Sequence, residues 1–106
     1  MPQRRRSGGT ANVLFDLGFA DAGELSAKTV LAMKLNAILD VRAMSQAQAA
    51  ALLGMPQPKI SAIRNYKLQG ISLERLMHAL TGLGQHVRIV VKPCKTGVQP
   101  RIDVAA

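Results

Sequence analysis

Aromatic side chains make up only 3% of this 106-residue chain, which has no tryptophan, one tyrosine and two phenylalanines. Its core must be assembled from Leu, Ile, Val, Met and Ala, a palette that favours packed helices over a β-sandwich. The same shortage disfavours proteins that stack unpaired RNA bases on exposed rings. Cysteine is absent but for Cys94. No internal disulfide is possible, and with Pro93, Lys95 and Gly97 around it and no partner at ligand spacing, Cys94 reads as an incidental thiol of a reducing compartment.

Long apolar runs are lacking too. Polar residues interrupt every apolar stretch well short of the roughly 18 residues a membrane span needs. Met1 to Thr10 carries Arg4, Arg5 and Arg6 but leads into Asp16 and a mixed segment, so no signal peptide is expected and the protein is expected in the cytoplasm. Paired acid and base, a nucleophile with its base, a metal cluster and a phosphate-binding glycine loop are all missing. His78 and His86 share no ligand spacing with Cys94 or any carboxylate. No enzyme, metal or cofactor is expected.

What the chain does have is positive charge, +8 in all. Its distribution tells more than its total. Asp16, Asp21 and Glu24 cluster early, yet no acid stands between Asp40 and Glu74, while Arg42, Lys59, Arg64 and Lys67 do. A polyanion can approach that stretch without repulsion.

The hydrophobic pattern reads as one mainly helical domain over about 12–92, with a basic arm over 1–11 and a mobile tail over 93–106. Asp21 is placed to cap a helix from about Ala22 to Arg42, with Val30, Leu31, Leu35, Ile38 and Leu39 on its apolar face and Lys28, Lys34 and Asn36 elsewhere. Ser45 and Gln48 have the spacing of a capping box, which opens a second helix that ends before Gly54. A third runs from about Gln57 to about Tyr66, burying Ile60 and Ile63, with Pro58 tolerable in its first turn and Gly70 closing the region. Ser72 caps a fourth, on which Leu73, Leu76, Met77, Leu80 and Leu83 recur at helical spacing. From His86 to Lys92 the period changes: Val87, Ile89 and Val91 alternate with their neighbours as in a β-strand. A lone strand needs a partner, either Val13 to Phe15 or a second subunit.

Gln46 to Asn65 carries the chemistry. A short helix with small Ala49 and Ala50, a turn at Gly54, and a second helix anchored by Leu53, Met55, Ile60 and Ile63 make a helix-turn-helix. With Ile60 and Ile63 inward, Pro58, Ser61, Ala62 and Asn65 turn outward, flanked by Gln57 and Arg64. That face is uncharged in the middle and basic at its margins, as suits a helix in the major groove of double-stranded DNA. Gln57 can offer its amide bidentately to adenine. Ser45 and Gln46, at the amino terminus of the second helix, and Asn65 are placed for phosphate, and Lys59, Arg64 and Lys67 supply cations.

Ser45 to Ser61 resembles the lambda-repressor-like, or XRE-type, helix-turn-helix family. Asn12 to Phe19, Ser72 to Leu76, and Leu83-Gly84 resemble its HigA-like branch. The resemblance spans roughly Asn12 to Lys92. It implies a bundle of five helices, here with one C-terminal β-strand, that binds operator DNA as a homodimer, with Gln46 on phosphate and Gln57 in the leading base-reading position. It also implies transcriptional repression, autorepression included, and for HigA-like members the neutralisation of a cognate RNA-cleaving toxin. Pro56 departs from the pattern, since it stands where the family usually has a capping Ser or Thr. The competing reading is a protein-interaction module whose main task is to bind a toxin, with DNA secondary. Arg4 to Arg6 suits a minor-groove arm, although a short terminal basic run is more often a solvated tail.

Overall fold

The computed structural model describes residues 18–106, with side chains from Gly23 onward. Arg4 to Arg6 and Val13 to Phe15 lie outside the described residues. Among the described residues four helices occur in order, α1 (Gly18–Val41), α2 (Gln46–Leu53), α3 (Gln57–Arg64) and α4 (Leu73–Gly82), and there is no strand.

The first helix starts earlier than the capping argument placed it. It is already helical at Gly18, so Asp21 falls inside it and cannot be its N-cap. Its buried face is a double row: Ala27, Leu31, Leu35 and Leu39 in one, Lys28, Ala32 and Asn36 in the other. Lys28 and Asn36 therefore sit on the covered side, against the wheel reading. Each buried polar head has found a partner, as burial requires. Lys28 Nζ donates to Leu68 O at 3.3 Å and lies 3.4 Å from Glu24, and Asn36 Nδ2 donates to Ile63 O at 3.0 Å.

The second helix opens with the expected reciprocal box. Ser45 Oγ accepts from Gln48 N at 3.1 Å and Gln48 Oε1 accepts from Ser45 N at 2.9 Å. Ser72 caps α4 likewise, its hydroxyl accepting from Arg75 N at 3.0 Å. Between them Pro56 caps α3 with no side-chain bond.

Every helix ends in the same way. Met44 N donates to Leu39 O, Met55 N to Ala50 O, Lys67 N to Ala62 O and Gln85 N to Leu80 O, each reaching back across the last turn over 2.8–3.1 Å. The residue before each donor has positive φ: Ala43 at 53°, Gly54 at 64°, Tyr66 at 58° and Gly84 at 84°. This is the Schellman closure, which satisfies carbonyls the last turn leaves without intrahelical donors. Tyr66 thus closes α3, a turn before Gly70.

Against α1 pack α3 and α4, while α2 lies across α3 and the end of α4. Leu35, Leu39, Ile60, Ile63, Leu76 and Leu83 are all but fully buried where they meet. Gly82 marks the close α2–α4 approach: a Cβ there would stand 2.8 Å from Leu53 Cδ2, so any side chain would make that terminal methyl move aside. Arg42 ties the far ends together by donating from Nη2 to Leu83 O at 2.6 Å.

Beyond Gly84 the expected strand is not formed. Val87 packs on the core, but Ile89, Val90 and Val91 are exposed at 70%, 69% and 92% instead of covering the bundle with it. The reason is physical: a strand is stabilised by a neighbouring ladder, and among the described residues none lies beside this segment. The chain then turns at Lys95–Val98, where Val98 N donates to Lys95 O at 3.0 Å. It returns to the bundle, so that Val104 packs against the core and the Ile102 carbonyl lies 3.5 Å from where a Cβ on Gly23 would be.

Candidate nucleic-acid interface

Gly54, Met55 and Pro56 join α2 to α3. The positive φ of Gly54 ends α2, Met55 drops into the core at 6% exposure, and Pro56 sets extended backbone at φ −60° and ψ 141° before α3 begins. Buried Ala49 lets the two helices approach closely, and Ile60 and Ile63, both at 0% exposure, hold α3 from beneath. Burying each isoleucine side chain is worth ~1.5–3 kcal/mol, enough to fix which side of so short a helix faces outward.

The outward side is the one the helical wheel indicates. Gln57, Pro58, Lys59 and Asn65 are exposed, Ser61, Ala62 and Arg64 half-buried. Gln46, Gln57, Pro58 and Ser61 line one open notch between the starts of α2 and α3. The structure thus brings Gln46 and Gln57 together, one from each helix of the motif.

The first turn of α3 is poor in free donors. Pro58 brings no N–H, and those of Lys59 and Ile60 bond to Pro56 O at 2.9 and 3.3 Å. At most the Gln57 N–H remains for an anion. This end is therefore suited to base edges more than to phosphate, whereas α2, opened by Ser45 and Gln46, has no proline in its first turn.

Not all the cations are free to reach outward. Lys59 Nζ donates to Gly70 O at 3.0 Å, which leans the ammonium onto the α3–α4 loop while leaving it exposed with further N–H groups to offer. Arg64 is turned inward onto α1: Nη1 donates to Asn36 O at 3.1 Å and to Asn36 Oδ1 at 3.3 Å, and Nη2 pairs with the Asp40 carboxylate. Asn65 Nδ2 folds back to Ser61 O at 2.9 Å. Lys67 is exposed and, among the described residues, its ammonium has no hydrogen-bond or ion-pair partner. Sequence reasoning missed Asn36 and Asp40, the α1 residues that hold Arg64. No alternation or motif marks them, because the pairing exists only once α3 lies across α1.

Among the described residues no group of His, Cys, Asp and Glu could hold a metal ion, and no helix is long and apolar enough to cross a membrane.

Residues 13–92 match a family model described as a helix-turn-helix domain. The chain is also similar to a solved structure with the provisional description XRE family transcriptional regulator. The two are 50% identical, superpose with a TM-score of 0.75, and the match covers 81% of this chain and 98% of that one. No curated protein matches the chain.

Proposed function

The chain belongs to the XRE-type helix-turn-helix family, and from that premise we propose that it is a sequence-specific regulator that binds double-stranded operator DNA as a homodimer and represses its own promoter. The observation that carries the reading is the notch shared by Gln46, Gln57, Pro58 and Ser61 on a stretch of chain free of acids between Asp40 and Glu74. Uncharged groups meet base edges there, and cations stand around them.

The roles divide by chemistry. Gln57 reads a base, with Pro58, Ser61 and Ala62 forming the close surface beside it. Ser45 and Gln46 take a phosphate at the amino terminus of α2, and Asn65 stands at the far end of the reading helix. Lys59 and Lys67 neutralise flanking phosphates. A protein that acts on operator DNA works in the bacterial cytoplasm.

The residues resembling the HigA-like branch, Ser72 to Leu76 and Leu83-Gly84 among them, support a second role as the antitoxin of a toxin-antitoxin pair. The exposed Ile89–Val91 run favours a protein partner of some kind, either the second subunit or that toxin. We assign it to the second subunit, whose matching segment would complete the strand that the alternation of His86 to Lys92 leads one to expect. Footprinting on the protein's own promoter tests the regulatory reading. A protected, two-fold symmetric site there is expected, and uniform, salt-sensitive coating of any DNA overturns it.

A further inference from the structure

Arg64 stands at the margin of the reading face, yet its guanidinium is built into the protein. Its side chain is only 29% exposed, with Nη1 shared between Asn36 O and Asn36 Oδ1 and Nη2 on Asp40. Asn36, 6% exposed, also donates to the Ile63 carbonyl at 3.0 Å. One stretch of α1 therefore grips both the backbone and the side chain of the last turn of α3.

Apolar packing fixes which side of α3 faces outward, but it sets the exact roll of so short a helix less sharply than directional bonds do. Burial of Ile60 and Ile63 is non-directional, so small rotations of α3 about its axis cost little, whereas hydrogen bonds weaken steeply once misaligned. A roll of α3 would swing Gln57 and Ser61 off the base edges they face. We propose that Asn36 and Asp40, acting through Arg64, are positioning residues for base reading: they set the roll and depth of α3 in the groove and so govern sequence discrimination without touching DNA. This rests on the reading of α3 as the recognition helix.

Two further features support it. The Asp40 side chain is 65% exposed, and an ion pair that open to water contributes little to stability, so its worth lies elsewhere. Arg64, held by Asn36 and Asp40, is also withdrawn from the phosphates, which makes its role geometric rather than electrostatic.

The test uses the full-length protein with Asp40→Ala, Asp40→Asn, Arg64→Lys and Arg64→Ala, each titrated against the footprinted operator and a scrambled duplex across a salt series, with melting followed by circular dichroism. Asp40→Ala and Arg64→Lys are expected to melt cooperatively. Their operator-to-scrambled affinity ratio is expected to fall by roughly 5- to 150-fold, the worth of one base contact, while affinity for the scrambled duplex does not fall. Asp40→Asn, which keeps an acceptor for Arg64, should retain most of the ratio, and Arg64→Ala should leave the salt slope unchanged. A merely structural role would lower both affinities together and spare the ratio. An unchanged ratio in Asp40→Ala and Arg64→Lys overturns the proposal. So does a salt slope about one unit shallower in Arg64→Ala that Arg64→Lys restores, since that is the mark of a phosphate ligand. A wild-type protein that prefers no duplex sinks the recognition-helix reading itself, and the clip with it.

Discussion

Gln57 is exposed at the head of α3 and, among the described residues, its amide bonds to no other group, so both its donor and its acceptor are available to a base. Gln57→Ala should weaken operator binding by about 1–3 kcal/mol and leave binding to scrambled DNA nearly unchanged, because a base contact is lost and no charge is. Equal loss on both duplexes would remove it from the reading role. Lys67 is the opposite case. Lys67→Ala should weaken binding to every sequence and make the slope of log affinity against log salt shallower by about one unit, as loss of one phosphate contact does. An unchanged slope would leave it a solvated bystander. The outward set of residues on α3 was legible because Ile60 and Ile63 fix the inward side. The fate of Arg64 was not, since a wheel shows which way a side chain leaves its own helix and not what lies within its reach. Lys28 and Asn36 read as lying off the apolar face for a related reason: polarity suggests exposure, whereas each has a buried carbonyl to donate to.

Among the elements, the starts of α2 and α4 were readable because Ser45, Gln48 and Ser72 announce caps by side-chain chemistry. The ends were readable only by half. Gly54 and Gly84 mark two of the four Schellman closures, but Ala43 and Tyr66 hold the same left-handed backbone at φ 53° and 58° and carry no such mark. An L-residue there is strained by ~1–2 kcal/mol, and glycine relieves the strain while adding freedom to the unfolded chain. Ala43→Gly is therefore expected to stabilise the fold by about 0.5–1 kcal/mol, measured by denaturant or thermal unfolding. Ala43 is exposed, so no packing is lost in exchange. A destabilised variant would show that the α1–α2 turn does not hold this backbone. Asp21 misleads because it looks like a cap wherever it stands, and a helix already running at Gly18 gives no local sign of it.

At the scale of the whole molecule, one helix-turn-helix reads only a few base pairs, so an operator-specific regulator needs two copies about one DNA turn apart. The chain must then carry a surface for its second copy. His86 to Lys92 is the segment whose alternation asks for a ladder partner, and in the single chain it has none among the described residues: Ile89, Val90 and Val91 stand exposed after Val87 has docked on the core. Antiparallel pairing with the same segment of a second subunit across a two-fold axis would satisfy the facing edges of both strands at once and set their side chains against one another. The competing arrangement pairs this segment with Val13 to Phe15 of the same chain and leaves dimerisation to the helices. Val90→Pro separates the two, because proline removes a ladder donor and is not tolerated within a paired strand. Val90 lies outside the four helices and is itself 69% exposed, so the helical content should survive the change. If the strands pair between subunits, the variant should sediment as a monomer and lose most of its operator affinity while its helical circular dichroism stays native. A variant that sediments as a dimer and binds operator like the wild type refutes the pairing.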